Sequence, residues 1–388
     1  MKISGVGCWI VDYIYKDINF LDFSTKKYAS KDGKNGIIIG EANLVNELEN
    51  YFNESINHII NDISKGQKPI KRLGGVAIIA TIGASQLLYD FKDIDFYYYA
   101  NIPDTTIGKY VYDTLKNTPL SLEHIQIKKG QDTLTYILCE KEKNGESSRT
   151  FIGSPHIHPS TALKVQQLSN DFFLSDINYF GHIAWEYIVN NDFSYILKKC
   201  KKNKNITIVS TASDASMRNK KRWILGDSDD VYNFIDFIIM NKSEALHYSG
   251  GNDLYDALKF FKSFPIEGIL ITDGTNPTYI YSRGNMSFPF EGFIPIAEDI
   301  INDKERGILS KGDTVGCGDN FVSGVIASIA LQLTNNNKQI DLKEAGILGN
   351  INGALASTIH GGFYEENIQG ERKKIVENYY YKYKIKNE

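Results

Sequence analysis

Cysteine is scarce, and its four positions (Cys8, Cys139, Cys200 and Cys317) stand at no paired spacing. That argues against a disulfide framework and leaves reduced thiols as the expectation. No apolar run is long enough to span a bilayer, and the opening MKISGVGCWIV reads as a strand rather than a leader, so a cytoplasmic location without membrane contact is expected. Positive charge is not in excess either. The formal net charge is −4, and Lys and Arg form no stripe interleaved with aromatics, so no nucleic-acid partner is expected. The short run KKCKKNK, residues 198–204, suits a solvated helix end. The opening GVGCWIVD also lacks the GxGxxG spacing of a dinucleotide fold. What remains is 388 residues, 42% hydrophobic and 23% charged, enough for one large α/β domain or two modest ones.

One stretch carries chemistry. Lys311 to Gly324 reads KGDTVGCGDNFVSG and runs into a helical pattern, with Phe321, Val322, Val325, Ile326, Ile329, Ala330 and Leu333 predicted to form one apolar face. Gly316 and Gly318 flank Cys317 just before that helix and let the backbone turn sharply and meet a ligand closely. Unpaired N–H groups at a helix start attract anions. Asp319, in the first turn, then has two readings: an N-cap, or a base that takes a proton from a group attacking the anion. Asp313 is a second acid within the same stretch. A thiol at that place, Cys317, is expected to have a lowered pKa and to be the most reactive of the four.

The string resembles the C-terminal signature of the ribokinase-like (pfkB) carbohydrate kinases, DTxGAGDxFxxG. Asp313, Thr314, Gly316, Gly318, Asp319, Phe321 and Gly324 match, and Cys317 replaces the usual alanine. The rest of the chain extends the likeness. Lys2 to Val11 reads as a buried first strand, with Asp12 near its end as a polyol-binding acid or a turn aspartate. Arg72 to Ser85 resembles the family's GG-containing helix start, with Gly74 and Gly75 closing on a sugar, but Ile79 stands where the family has asparagine. Asn101 to Gly108 echoes GDDxxG with Pro103 and Thr105 out of pattern, and Ser216 stands for an asparagine in the segment that holds Asp214, Arg218 and Trp223. Asn241 and Glu244, in NKSE, match the NxxE motif; the alternative is a capping box. Thr272 and Gly274 fit the TxG nucleotide segment, and the helical pattern from Leu342 to Ile359, with Asn350, falls where the family lines the adenine side.

Two further features come from the residues themselves. Thr133 to Gly153 reads as a hairpin turning at Asn144-Gly145, and His156 and His158 read as loop residues rather than a metal pair. Between residues 24 and 69, Leu44, Val45, Leu48, Tyr51, Phe52, Ile56, Ile59, Ile60 and Ile63 predict one amphipathic helix, taken as an insertion.

The resemblance implies a single domain over residues 1–388. It would be a three-layer α/β fold with a mostly parallel central sheet and a small β lid built from segments near 12–30 and 95–140. It also implies an ATP-dependent kinase that transfers the γ-phosphoryl group to a hydroxyl of a sugar or sugar-like molecule. Asp319 would be the base, with the backbone of Gly316, Cys317 and Gly318 around the transferred group. Asp12, Gly74, Gly75 and Asp319 would meet the acceptor, and Asn241, Thr272, Gly274, Thr314, Gly318 and Asn350 would meet ATP. Glu244 would hold Mg2+ through water; a monovalent cation and a homodimer through the lid are further implications. The alternatives are a nucleoside or vitamin kinase on the same fold and a catalytically silent ligand-binding homologue.

Overall fold

In Phe237–Asn241, Phe237 and Ile239 belong to one buried hydrophobic cluster, and Ile238 and Met240 to another. A strand apolar on both faces needs cover on both faces, and the chain supplies it as helices on either side of one large sheet. The computed structural model describes residues 1–388 except 23–25, 141–148, 155–156, 183–186, 336 and 388.

The strands are Lys2–Gly7 (β1), Ile10–Ile18 (β2), Ala42–Leu44 (β3), Ile70–Gly74 (β4), Asp95–Pro103 (β5), Ile125–Lys128 (β6), Leu134–Glu140 (β7), Arg149–Gly153 (β8), Ile177–Gly181 (β9), Ile206–Ser210 (β10), Phe237–Asn241 (β11), Gly268–Asp273 (β12), Asn276–Ser282 (β13) and Phe290–Ile294 (β14). The α-helices are Val45–Phe52 (α1), Ile56–Ser64 (α2), Val76–Leu87 (α3), Thr106–Leu115 (α4), Asn170–Phe173 (α5), Tyr187–Lys202 (α6), Lys242–Ser249 (α7), Leu254–Lys262 (α8), Glu298–Glu305 (α9), Cys317–Thr334 (α10), Leu342–Ala356 (α11) and Glu371–Asn387 (α12). The large sheet has the order β14-β13-β12-β11-β10-β9-β1-β5-β6 and is parallel from β12 to β6. β13 alone is reversed, pairing antiparallel with both β12 and β14. A smaller mixed sheet has the order β3-β8-β7-β2-β4. Among the described residues no helix is long and apolar enough to cross a membrane.

Four expectations need correction. The first strand is two: β1 ends at Gly7, whose φ is +137° and whose Cβ would lie 2.0 Å from the Gly181 carbonyl oxygen. The chain then passes into the other sheet, so Asp12 belongs to the smaller sheet, not to a strand end of the large one. Apolarity alone could not reveal that crossing, because both strands are buried. Of the segment 95–140, β5 and β6 pair in the large sheet and only β7 in the smaller one, whose other strands include β3, β4 and β8.

The single helix expected between Leu44 and Ile63 is broken. Asn53 takes the left-handed conformation after α1, and Ser55 caps α2 by accepting from the His58 N–H. Both pieces keep their apolar side on the same partner. Leu48, Ile56, Ile59, Ile60 and Ile63 pack with Tyr15, Tyr136, Leu138 and Ile152 of the smaller sheet. That face is therefore covered from within the chain. Finally, α10 is buried all round rather than on one face, between α3 and α11. A Cβ on Gly324 would sit 2.6 Å from the Leu348 carbonyl oxygen, so glycine is what lets α10 and α11 approach.

Candidate active site

A cleft of about 1060 Å³ separates the two sheets. Its wall from the smaller sheet alternates along each strand, as the period of two demands: Ile10 and Asp12 from β2, Thr135 and Ile137 from β7, Arg149 and Phe151 from β8. The floor is Thr314 to Asp319, and the opposite end holds Asn241, the turn Thr272 to Thr275, and Asn350.

Asp12 is 3% exposed, and its Oδ1 has no hydrogen-bond partner among the described residues. Thr135, its register partner on β7, likewise leaves its hydroxyl unpartnered. Buried polar atoms are normally bonded, so this pair is what a hydroxylated ligand would complete. Burial holds the Asp12 carboxyl well above the usual carboxylate range, with the charges of Asp319 and Asp313 adding to the effect. Gly74 lies under the carboxylate, where a Cβ would come within 2.0 Å of Oδ2; it makes room for Asp12 and does not itself line the cleft. Gly75 does line it and starts α3 at φ +108°, with no space for a Cβ against Trp9. Ile79 is buried in the core beneath, against Gly362.

Gly316 caps α10 in the left-handed conformation, φ 75° and ψ 7°, with no side-chain bond to the helix start. Its Cβ would lie 2.3 Å from the Gly362 Cα, whereas one on Gly318 would meet nothing within 4 Å. Glycine at Gly318 is thus not demanded by protein packing; the open space above it is room for a ligand. Asp319 stands beside that space. Its pKa is raised to about 7, mainly by burial and further by the Glu244 charge, while the Arg149 guanidinium pulls it down. A carboxyl poised there suits proton abstraction near neutral pH. Asp313 serves the turn instead: its Oδ1 accepts from the Val315 N–H at 2.8 Å, and its Oδ2 from Gly361 and His360.

The expected lowering of the Cys317 pKa is overturned. Burial pushes its thiol up to about 11, outweighing Arg149, so the helix start does not yield a thiolate. Cys317 is still the most accessible of the four cysteines.

Asn241 and Glu244 form a capping box on α7: the Asn241 side chain accepts from the Glu244 N–H at 2.8 Å, and Glu244 Oε2 accepts from the Asn241 N–H at 3.1 Å. Thr211 Oγ1 also donates to Glu244 at 2.7 Å. Glu244 is buried behind Asn241 and does not line the cleft, and burial raises its pKa. Asn350 accepts from Thr278 at 2.7 Å and donates to the Pro295 carbonyl at 2.8 Å, so its amide ties β13 to α11 at the cleft wall. Thr272 and Gly274 both line the cleft; a Cβ on Gly274, at φ +61°, would meet only open space.

Sequence reasoning missed Thr135 and Arg149. The only signal for Arg149 was a charge inside an apolar strand. The expected Asn144-Gly145 turn and His156 lie outside the described residues, and His158 bonds Ser160 in an exposed loop. Among the described residues, the cluster of three acid and imidazole groups within metal-ligating distance of one another is Glu54, His58 and Asp62, which belongs to the α1–α2 segment and does not line the cleft.

The family model of the pfkB family carbohydrate kinases matches residues 37–365. The chain belongs to that family. A probable fructokinase-7 of Arabidopsis thaliana is 28% identical over 135 residues, which span 34% of this chain and 35% of the plant protein, about a third of its length. Among solved structures, adenosine kinase from Schistosoma mansoni in complex with 2-fluoroadenosine has a TM-score of 0.68 at 15% identity, covering 94% of this chain and 97% of that one. A fructokinase from Xylella fastidiosa with bound ATP has a TM-score of 0.61 at 12% identity, covering 99% of each chain. At such identities the kinases share the fold with this chain; their acceptors are their own.

Proposed function

We propose that the protein is an ATP-dependent kinase that transfers the γ-phosphoryl group to a hydroxyl of a sugar or sugar-like molecule. The observation that carries this reading is Asp319, with its pKa raised to about 7, beside the open space over Gly318 at the start of α10. Asp319 takes the proton of the acceptor hydroxyl. The N–H groups at Gly316, Cys317 and Gly318 stabilise charge on the transferred group, and Arg149 faces it from the smaller sheet. Asp12 and Thr135 receive the acceptor's other hydroxyls. The nucleotide lies toward Asn241, Thr272, Gly274, Thr314 and Asn350.

The donor set fits magnesium held mainly by phosphate and water, because the Glu244 oxygens are already bonded and set back behind Asn241. Bound there through water, the ion would neutralise phosphate charge. We assign no residue to a monovalent cation.

A nucleoside acceptor is the second reading, supported by the apolar wall of Leu44, Ile10, Ile137 and Phe151 around Asp12. ADP release from MgATP, measured against a panel of D-fructose, D-ribose and adenosine, separates the two. Turnover is expected to rise with pH through about 7, where Asp319 loses its proton. Asp319→Asn should lower it by roughly 10²–10⁴, the usual worth of a positioned base. Near-normal turnover in that variant would reduce Asp319 to a helix-start residue.

A further inference from the structure

Arg372 of α12 is 4% exposed, and its guanidinium is bonded by amide oxygens alone among the described residues. Nε and Nη2 donate to Asn352 Oδ1 at 3.0 and 2.9 Å, Nη1 donates to Gln86 Oε1 at 2.8 Å, and Nη2 also donates to Asn320 Oδ1. Gln86, Asn320 and Asn352 come from α3, α10 and α11, and all three are buried. The side-chain hydrogen-bond partners are all neutral. Glu366, which accepts from the Arg372 backbone N–H at 3.0 Å, and the Tyr364 ring, 5.7 Å from Cζ, favour the charge without an ion pair. That is a costly arrangement where a leucine or methionine would fill the space.

The bond to Asn320 suggests what the charge is for. Asn320 Nδ2 donates to the Gly316 carbonyl at 2.7 Å and to the Gly362 carbonyl at 2.9 Å. An amide has one acceptor end and one donor end of nearly the same shape, and only one orientation satisfies all its neighbours here. The guanidinium claims the oxygen, so the NH2 must face the two carbonyls. Those carbonyls belong to the left-handed glycine before α10 and to the glycine packed against it, 2.3 Å from where a Gly316 Cβ would stand. Gly316 has no side-chain cap; Asn320 braces the turn from below, and Asp313 holds it through the Val315 N–H.

We infer that Arg372 is a positioning residue for phosphoryl transfer, acting through the fixed orientation of Asn320 on the Gly316 turn. This rests on the reading that the turn receives the transferred group. Loss of the guanidinium leaves the buried Asn320 oxygen without its donor, so the amide is no longer clamped from that side and its hold on the turn loosens. Arg372 and Asn320 lie outside the cleft and touch no substrate themselves, so the loss is expected in kcat rather than in KM. A bolt that merely joins α12 to the body would lower stability and leave the turn intact.

The test compares Arg372→Met, Asn320→Asp and their double with Gln86→Met, using ADP release from MgATP and whichever of D-fructose, D-ribose or adenosine the unaltered protein phosphorylates. Asn320→Asp keeps the oxygen toward Arg372 and removes the donor to Gly316. Arg372→Met and Asn320→Asp should each lower kcat at least tenfold with acceptor KM within twofold, and the double should be no slower than the slower single. Gln86→Met, which removes one Arg372 partner without touching Asn320, should lower Tm with kcat kept. Wild-type kcat in Arg372→Met, losses that multiply in the double, or a kcat loss in Gln86→Met as large as in Arg372→Met would overturn the inference. If Arg372→Met does not accumulate as folded protein, Arg372→Lys, which keeps the charge but not the fork, carries the same criteria. An inert Asp319→Asn beside a fully active Arg372→Met defeats only this inference; an active Asp319→Asn, or no turnover in the unaltered protein, defeats the underlying reading with it.

Discussion

Asp12 and Asp319 face the same cleft from opposite sides, and their surroundings ask different things of them. Asp319 is balanced between burial, which favours the neutral acid, and Arg149, which favours the anion, so it can change protonation at working pH. At Asp12, burial and then the charges of Asp319 and Asp313 hold the carboxyl toward the neutral form until a ligand donates to it. A hydroxyl hydrogen bond to a charged group is worth roughly 1.5–3 kcal/mol, and two of them amount to a factor of about 10²–10⁴. Asp12→Ala should therefore lower acceptor kcat/KM by that factor while nucleotide affinity, read by calorimetry on the same variant, stays near wild type. Equal losses on both sides would make Asp12 a structural residue of β2. Thr135, beside it, makes the same point at smaller scale: its unpartnered hydroxyl has no role in holding the sheet.

At the scale of elements, the segment before β4 gains a purpose. A mixed five-stranded sheet with one face on a cleft must bury the other, and α1 and α2 do this with an isoleucine-rich stripe that survives the break at Asn53. Ile59 is fully buried in that contact. Ile59→Ala should cost about 2–5 kcal/mol through lost burial and the cavity left behind. The loss should fall on the smaller sheet, so acceptor KM should rise severalfold while nucleotide affinity, which the proposed function assigns to β11–β13, changes less. Thermal unfolding with both titrations reads this out, and a variant that weakens nucleotide and acceptor alike would show that the two sheets do not soften separately. The start of α10 is the opposite case: an element end without a side-chain cap, held from the side by Gly362 and from below by Asn320.

Across the whole molecule, the cleft has a cost in stability that pH should reveal. The folded pKa of Asp319, about 7, lies above the ordinary unfolded value near 4. The folded protein then holds a proton that the unfolded chain has released between those two values, and stability falls as pH rises through that window. The contribution is fully present below about pH 4 and lost above about pH 7. Asp319→Asn cannot titrate, so it should be more stable than the unaltered protein at pH 8, by at most about 4 kcal/mol and less where cleft water screens the charge. The difference should vanish near pH 4. Denaturant unfolding of both proteins at the two pH values measures it; equal stability at pH 8 would mean that Asp319 ionises without penalty.

The sequence by itself determined the local rules. Glycines at Gly316 and Gly318 before a helix, an acid in the first turn, and alternating strand and helix patterns were legible because each depends on near neighbours in the chain, while the capping pair at Asn241 and Glu244 stood only as the alternative to a magnesium role. The family and the large parallel sheet followed from them. Tertiary structure decided what depends on distant partners. It moved Asp12 onto the second sheet, because burial patterns do not say which sheet a strand joins. It set Glu244 behind Asn241 and gave both its oxygens to neighbours. It raised the Cys317 thiol instead of lowering it, since burial outweighed the positive helix end. And it brought Arg372, more than fifty residues along the chain, to the amide of Asn320, a contact no periodicity encodes because it joins four helices at one buried point.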